Sequence, residues 1–313
     1  MGHKILILGA CGQIGTELTM ALRSQYGAHN VVASDIRPGD TQMMASGPFE
    51  IIDATQIEAL EEVVMHHEID VIYLMAAMLS ATAEKFPMRA WELNMNSLFH
   101  VLNLAKEKKI SRVFWPSSIA VFGPLSPKDN CAQHAIMEPS TVYGMSKASG
   151  ESWCAYYHKK YGVDVRSLRY PGLISWKTQP GGGTTDYAVD IFHKTIKDNH
   201  YESFLAADSS LPMMYMDDAI SATLGIMQTG SPQLKRGQAY NLSAMSFTPE
   251  ALGKCIQNKR PGFKISYAPD FRQQIADSWP NSINDQEAQE DWGWSAAYDL
   301  EKTVTVMLEK LQA

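Results

Sequence analysis

A chain of 313 residues can bury one large core or two linked ones, and 45% hydrophobic with 19% charged residues is an ordinary globular make-up. A net charge of -7 with no Lys/Arg run disfavours nucleic acid, which calls for a basic face. The four cysteines, Cys11, Cys131, Cys154 and Cys255, are too scattered for a metal set and read as reduced cytoplasmic thiols, and no apolar stretch has the length of a membrane span.

Along the chain, apolar runs at 4–8, 30–34, 71–74, 113–116 and 165–169 have strand length. Helix-length segments at 15–26, 57–67, 88–108 and 141–160 lie between them. This alternation predicts an α/β protein with a doubly wound parallel sheet of Rossmann type. After Tyr170 the rhythm breaks at Pro171, Gly172, Pro180 and Gly181 to Gly183, and a long loop results. A helix at 187–198, a short helix after Asp217, a strand at 239–242 and a final helix at 297–311 follow. Residues 1–174 are expected to form the domain that carries this sheet. Residues 175–313 form a smaller, loop-rich substrate lobe, with a segment near 236–245 returning to the sheet.

The turn Gly9-Ala10-Cys11-Gly12-Gln13-Ile14-Gly15 follows the first strand and opens the first helix. There Gly9 permits the bend, Gly12 admits a pyrophosphate to the backbone and Gly15 allows helix and strand to pack closely. The bland alternative is a plain strand-to-helix turn. Asp35, about 20 residues on, is placed to accept from ribose hydroxyls and favours NAD, while Arg37 beside it is the residue that would accommodate a 2'-phosphate. Asp53 either accepts from the adenine amino group or caps the helix near Ile57.

Tyr143 and Lys147, four residues apart, project from one helix face, and a cation beside a phenol favours phenolate. Ser117 and Ser118 end a strand at the sheet edge where such folds bind ligands. One hydroxyl there holds a substrate oxygen while the phenolate takes its proton, unless both serines serve a turn. The scattered His and Cys offer no zinc site, so no metal is expected.

With Gly9-x-x-Gly12-x-x-Gly15, Ser118 and Tyr143-x-x-x-Lys147, the chain resembles the extended short-chain dehydrogenases, whose best-known members modify nucleotide sugars. Residues 169–175, 180–189 and 212–219 narrow the resemblance to the short-chain type of L-threonine 3-dehydrogenase. Gly181, Gly182, Gly183, Thr184, Thr185 and Asp186 form its most specific string. The resemblance implies NAD-dependent oxidation of L-threonine to 2-amino-3-ketobutyrate, with Tyr143 as base, Lys147 lowering its pKa and Ser118 polarising the hydroxyl. It implies that Gln13, Ile14, Ile36, Ala54, Leu74, Ala76, Ala77, Asn94 and Leu173 join the glycine turn, Asp35, Arg37 and Asp53 around the cofactor. Ser80, Thr184, Thr185, Asp186 and Trp279 would surround the amino acid, although helix capping is a second role for Thr184 to Asp186. A homodimer through the helices 88–108 and 141–160 and a functional link to a 2-amino-3-ketobutyrate ligase are further implications. A nucleotide-sugar epimerase or dehydratase, and a non-catalytic dinucleotide sensor, are the competing readings. Cys11 replaces a smaller residue of the loop and Phe122 stands where sugar-modifying relatives often carry Tyr, and neither removes a group the reaction needs.

Overall fold

The computed structural model describes residues 3–179 and 181–312, so Pro180 of the glycine-rich string lies outside the described residues. Twelve strands are present among them. The first half supplies β1 (Ile5–Leu8), β2 (Val31–Asp35), β3 (Phe49–Ile51), β4 (Val71–Leu74), β5 (Arg112–Ser118) and β6 (Asp164–Tyr170). The second supplies β7 (Gly172–Ile174), β8 (His200–Ser203), β9 (Leu211–Tyr215), β10 (Ala239–Asn241), β11 (Met245–Phe247) and β12 (Lys264–Tyr267).

Seven of these make one parallel sheet in the order β10-β6-β5-β4-β1-β2-β3. β1 and β4 at its centre read as unbroken apolar runs because both faces are covered. Ile5, Ile7 and Ala33 belong to the core on one face, and Leu6, Leu8 and Val32 to the core on the other, following the two-residue period of a strand. The chain runs outward from β1 through β2 to β3 and returns on the opposite side to β4. The order therefore reverses between β1 and β4, and the crevice at their carboxyl ends is where open sheets bind ligands.

The first helix, Gln13–Tyr26, starts two residues earlier than its hydrophobic pattern indicates because Gly12 is already its N-cap. Helix Val142–Tyr161 starts at Thr141, whose hydroxyl accepts from Gly144 N at 3.0 Å, and ends at the left-handed Gly162. A Cβ on Gly150 would stand 2.5 Å from the Trp115 ring, so glycine there lets this helix lie directly on β5.

The second lobe has its own core and two small sheets, β11-β9-β7 and β12-β8. It contains more regular structure than the sequence pattern indicates. β8, β9, β12 and the helix Pro249–Lys259 are unpredicted: β8 alternates exposed and buried residues but over only four positions, and β12 is only partly buried. The element after Asp217 is a helix of 13 residues, Met216–Gln228, that already includes it. The final helix runs Leu300–Gln312 rather than from residue 297, because Asp218 engages the Ala297 and Tyr298 amides and Asp299 caps Lys302 N at 2.8 Å. β10 pairs in parallel with β6, bringing the second half back to the main sheet.

Candidate active site

The site begins at the glycine turn. Gly9 has φ +89°, and a Cβ there would meet Ala76 N at 2.5 Å, so both its backbone and its neighbours demand glycine. Gly15 packs against Gly9 O and Ala10, which fixes the helix to the turn. Gly12 needs neither positive φ nor close packing. It lines both lobes of a continuous cleft, one with about 1000 Å³ and the other with about 860 Å³ of space between atoms.

The second lobe is bounded by Asp35, Ile36, Arg37, Asp53, Ala54, Ala76 and Ala77. Asp35 also accepts from Cys11 N at 2.9 Å, so one carboxylate holds the glycine turn and faces the cleft. Burial, with Asp35 adding to it, pushes the Cys11 thiol up to about 11, which keeps it a thiol. Asp53 accepts from Thr55 N at 2.9 Å and does not supply a cap bond to the helix Ile57–His66.

The first lobe brings together Gln13, Ile14, Ser80, Ser118, Tyr143, Lys147, Leu173, Thr184, Thr185, Asp186 and Trp279, from seven separate segments. Two expected lining residues stay out of the cleft. Leu74 is buried in β4, and Asn94 is occupied by Met78 N at 2.8 Å and Ser146 Oγ at 3.1 Å, bracing the loop after β4 against the helix of Tyr143. Leu79, Ile119, Tyr170 and Pro171 line it without having been singled out, while Met75, in the 74–77 strand end expected around the cofactor, lines both lobes. Apolar residues beside a site carry no distinguishing mark in a single sequence.

The paired serines separate cleanly. Ser117 Oγ donates to Glu151 at 2.5 Å inside a buried network with Arg169, whereas Ser118 caps Ala120 N at 3.2 Å and lines the same cavity as Tyr143. Both serines line the cavity, and with the Ser117 hydroxyl taken by Glu151, that of Ser118 is the one left to the cleft. Burial pushes the Tyr143 phenol up to about 12, with the Ser118 hydroxyl pulling the other way. Lys147 is drawn down to about 7 by burial. It donates to Pro116 O at 2.6 Å and sits 5.7 Å from the centre of the Tyr143 ring. Removal from water is the largest influence on both groups.

At the other end, Ser80 Oγ and Thr184 Oγ1 lie 3.3 Å apart across 104 residues of sequence. Asp186 stands at the N-cap position of helix Tyr187–Asp198 but makes no cap bond. It accepts instead from Gly182 N at 2.8 Å and Gly183 N at 2.7 Å, folding the glycine string back on itself. Burial raises its pKa against those two bonds. Trp279 is buried in the wall, and its Nε1 has no partner among the described residues.

The glycine cradle, the paired carboxylates of the adenosine end and the buried, unpartnered Gln13 Nε2 suit a dinucleotide. Among the described residues no cluster of His, Cys, Asp or Glu has the make-up of a metal site, and no helix is long and apolar enough to cross a membrane.

A Rossmann sheet with a serine, a tyrosine and a lysine at its switch point defines a dinucleotide-dependent enzyme of the short-chain dehydrogenase class. Residues 5–243 match the NAD dependent epimerase/dehydratase family, to which this chain belongs, and its cofactor is NAD. An uncharacterized epimerase/dehydratase of Staphylococcus saprophyticus is 49% identical over 99% of this chain and 97% of its own length. The L-threonine dehydrogenase of Cupriavidus necator in its holo form is 52% identical, covers 98% of this chain and 99% of its own, and superposes with a TM-score of 0.96. The L-threonine dehydrogenase of Clostridium difficile is 46% identical over 99% of this chain and 98% of its own, also with a TM-score of 0.96.

Proposed function

We propose that this chain oxidises the β-carbon of L-threonine, giving 2-amino-3-ketobutyrate and NADH. The observation that carries the reading is the Ser80–Thr184 contact, which sits with Asp186 and Trp279 in the same cavity as Ser118 and Tyr143. A zwitterion losing water needs hydroxyls, a carboxylate and N–H donors around it, and these residues supply them. The full-length similarity to the L-threonine dehydrogenases of C. necator and C. difficile supports the same substrate.

In this reading Ser118 holds the substrate hydroxyl and Tyr143 Oη takes its proton. A phenol near 12 is a poor base at neutrality, so it needs positive charge beside it. Lys147 is the one cationic side chain among the described residues that line this cavity, and protonated it provides that charge. Gly9, Gly12, Gln13, Ile14, Gly15, Asp35, Ile36, Arg37, Asp53, Ala54, Ala76, Ala77 and Leu173 would hold and orient NAD, Asp35 favouring it over its 2'-phosphorylated form, and NAD held there would supply the acceptor for the hydride leaving the β-carbon. Asn94 and Leu74 act from behind that wall. The product is a β-keto acid, which loses carbon dioxide to give aminoacetone unless a ligase captures it.

Residues 1–174 with β10 make up the NAD-binding part, and the rest of 175–313 the substrate part. The exposed Met88, Trp91, Trp153 and Tyr156 on helices Pro87–Lys106 and Val142–Tyr161 support a homodimer through these helices, testable by sedimentation at micromolar concentration. All four cysteines are free, which supports a cytoplasmic location. The family description keeps a nucleotide-sugar substrate as the second reading. NADH formation by purified protein from a panel of hydroxy-amino acids and UDP-sugars decides between them: threonine is expected to reduce NAD, and turnover of a UDP-sugar alone would replace this reading with the second.

A further inference from the structure

Glu17 lies on the helix Gln13–Tyr26, five residues beyond Gly12, and its side chain is only 6% exposed. A carboxylate so removed from water needs partners. Both come from the other end of the site: Ser175 Oγ donates at 2.5 Å and Lys177 Nζ at 3.0 Å. Ser175 is fully buried, and its Oγ also accepts from Lys177 N at 3.2 Å, so the three residues close a ring.

None of the three lines either lobe of the cleft. What they connect does. On one side, Gly15 locks their helix to the glycine turn and Gly12 faces both lobes. On the other, Ser175 directly follows β7, whose Gly172 and Leu173 line the cavity, and begins the segment that ends at Thr184 and Asp186. Two cations flank that segment at the same point: Lys177 and Lys310 lie 5.5 and 5.8 Å from the Trp176 ring centre.

We propose that Glu17 is a positioning residue that couples the cofactor helix to the amino-acid end of the site by clamping Ser175 and Lys177. The proposal rests on the reading that Thr184 and Asp186 meet the substrate. Phosphate contacts at the helix N-terminus bear on a rigid element, and the clamp passes its position to the chain leading to Thr184. Coupling of this kind is reciprocal for binding, so threonine and NAD each tighten the other through it.

The test compares Glu17→Ala, Glu17→Gln, Ser175→Ala and the double variant Glu17→Ala/Ser175→Ala with the wild-type enzyme. Glu17→Ala is expected to raise the KM for threonine about tenfold while the Kd for NAD without threonine changes less than about twofold. Ser175→Ala moves KM the same way by less. The double variant is no worse than Glu17→Ala, since both changes open one clamp. Glu17→Gln recovers part of the loss, because its amide oxygen still accepts from Ser175. An unchanged KM, a loss of NAD affinity equal to the rise in KM, or additive effects in the double variant would overturn the proposal. Trypsin cleavage after Lys177 with NAD bound gives a readout independent of turnover, and it is expected to be severalfold faster in Glu17→Ala and Ser175→Ala. If the wild type does not oxidise threonine, the proposed function fails and the clamp is judged by this cleavage, equal rates overturning it. If Glu17→Ala does not fold, Ser175→Ala, which removes one hydroxyl, is judged by the same two measurements.

Discussion

Replacing Lys147 by Met should reveal the energetic conflict at the centre of the site. The buried ammonium falls from the ordinary 10.5 to about 7. Below pH 7 both folded and unfolded chains hold the proton, and keeping the charge buried costs on the order of 5 kcal/mol at about 1.36 kcal/mol per unit. Between pH 7 and 10.5 the unfolded chain binds a proton that the folded chain does not, so wild-type stability from this group rises with pH across that window. Met keeps most of the stem's packing and loses the bond to Pro116 O, which for a charged donor contributes about 1.5 to 3 kcal/mol. At pH 6.5 the variant should therefore be more stable than wild type by on the order of 2 kcal/mol, and near pH 9 the gain should shrink to near zero. Urea denaturation at the two pH values measures both differences, and turnover in the same preparations should be lost. A variant less stable than wild type at pH 6.5, or a difference that does not move with pH, would refute the reasoning.

Tyr143→Phe should abolish turnover and leave NAD binding nearly intact, as followed by titration with NAD, since only the ionisable oxygen leaves a ring that still packs. Asp35→Ala should weaken NAD and narrow its advantage over NADP, because the ribose acceptor and its charge vanish together. It should also loosen the glycine turn, since Cys11 N loses its partner, and the ratio of the two coenzymes' kcat/KM is the measurement. Thr184→Ala and Asp186→Ala should raise the KM for threonine and lower kcat with little change in NAD affinity. For Asp186 the cause is the release of Gly182 N and Gly183 N, two bonds to a carboxylate each contributing about 1.5 to 3 kcal/mol. Steady-state kinetics with NAD titration separates these effects, and weakened NAD binding with unchanged threonine kinetics would count against them.

The parallel sheet was legible because β1, β2, β4 and β5 are buried on both faces and so carry short apolar runs, while β6 keeps only Val165 and Leu168 between polar residues. That Gly9, Gly15, Ser118, Tyr143 and Lys147 share one cavity was legible because their spacing places them on a strand-to-helix turn, a strand end and one helix face. β8 and β12 escaped notice because each is four residues long: the alternation of β8 covers only two periods, and β12 is only partly buried. Asn94 and Asp186 show the limit of residue type as a guide. Both are polar, buried and close to the cleft, yet their hydrogen bonds go to Met78 and to Gly182 and Gly183, contacts fixed by the fold. Glu17 carried no signal at all, because its partners lie 158 and 160 residues away.

The most direct measurement of the central claim follows a label. L-threonine carrying deuterium on its β-carbon, incubated with the protein and NAD, should yield reduced coenzyme that has gained one deuterium, read by mass spectrometry, and should do so only when Tyr143 is present. Reduced coenzyme without the label, or none with threonine while a UDP-sugar is converted, would contradict oxidation of threonine at its β-carbon.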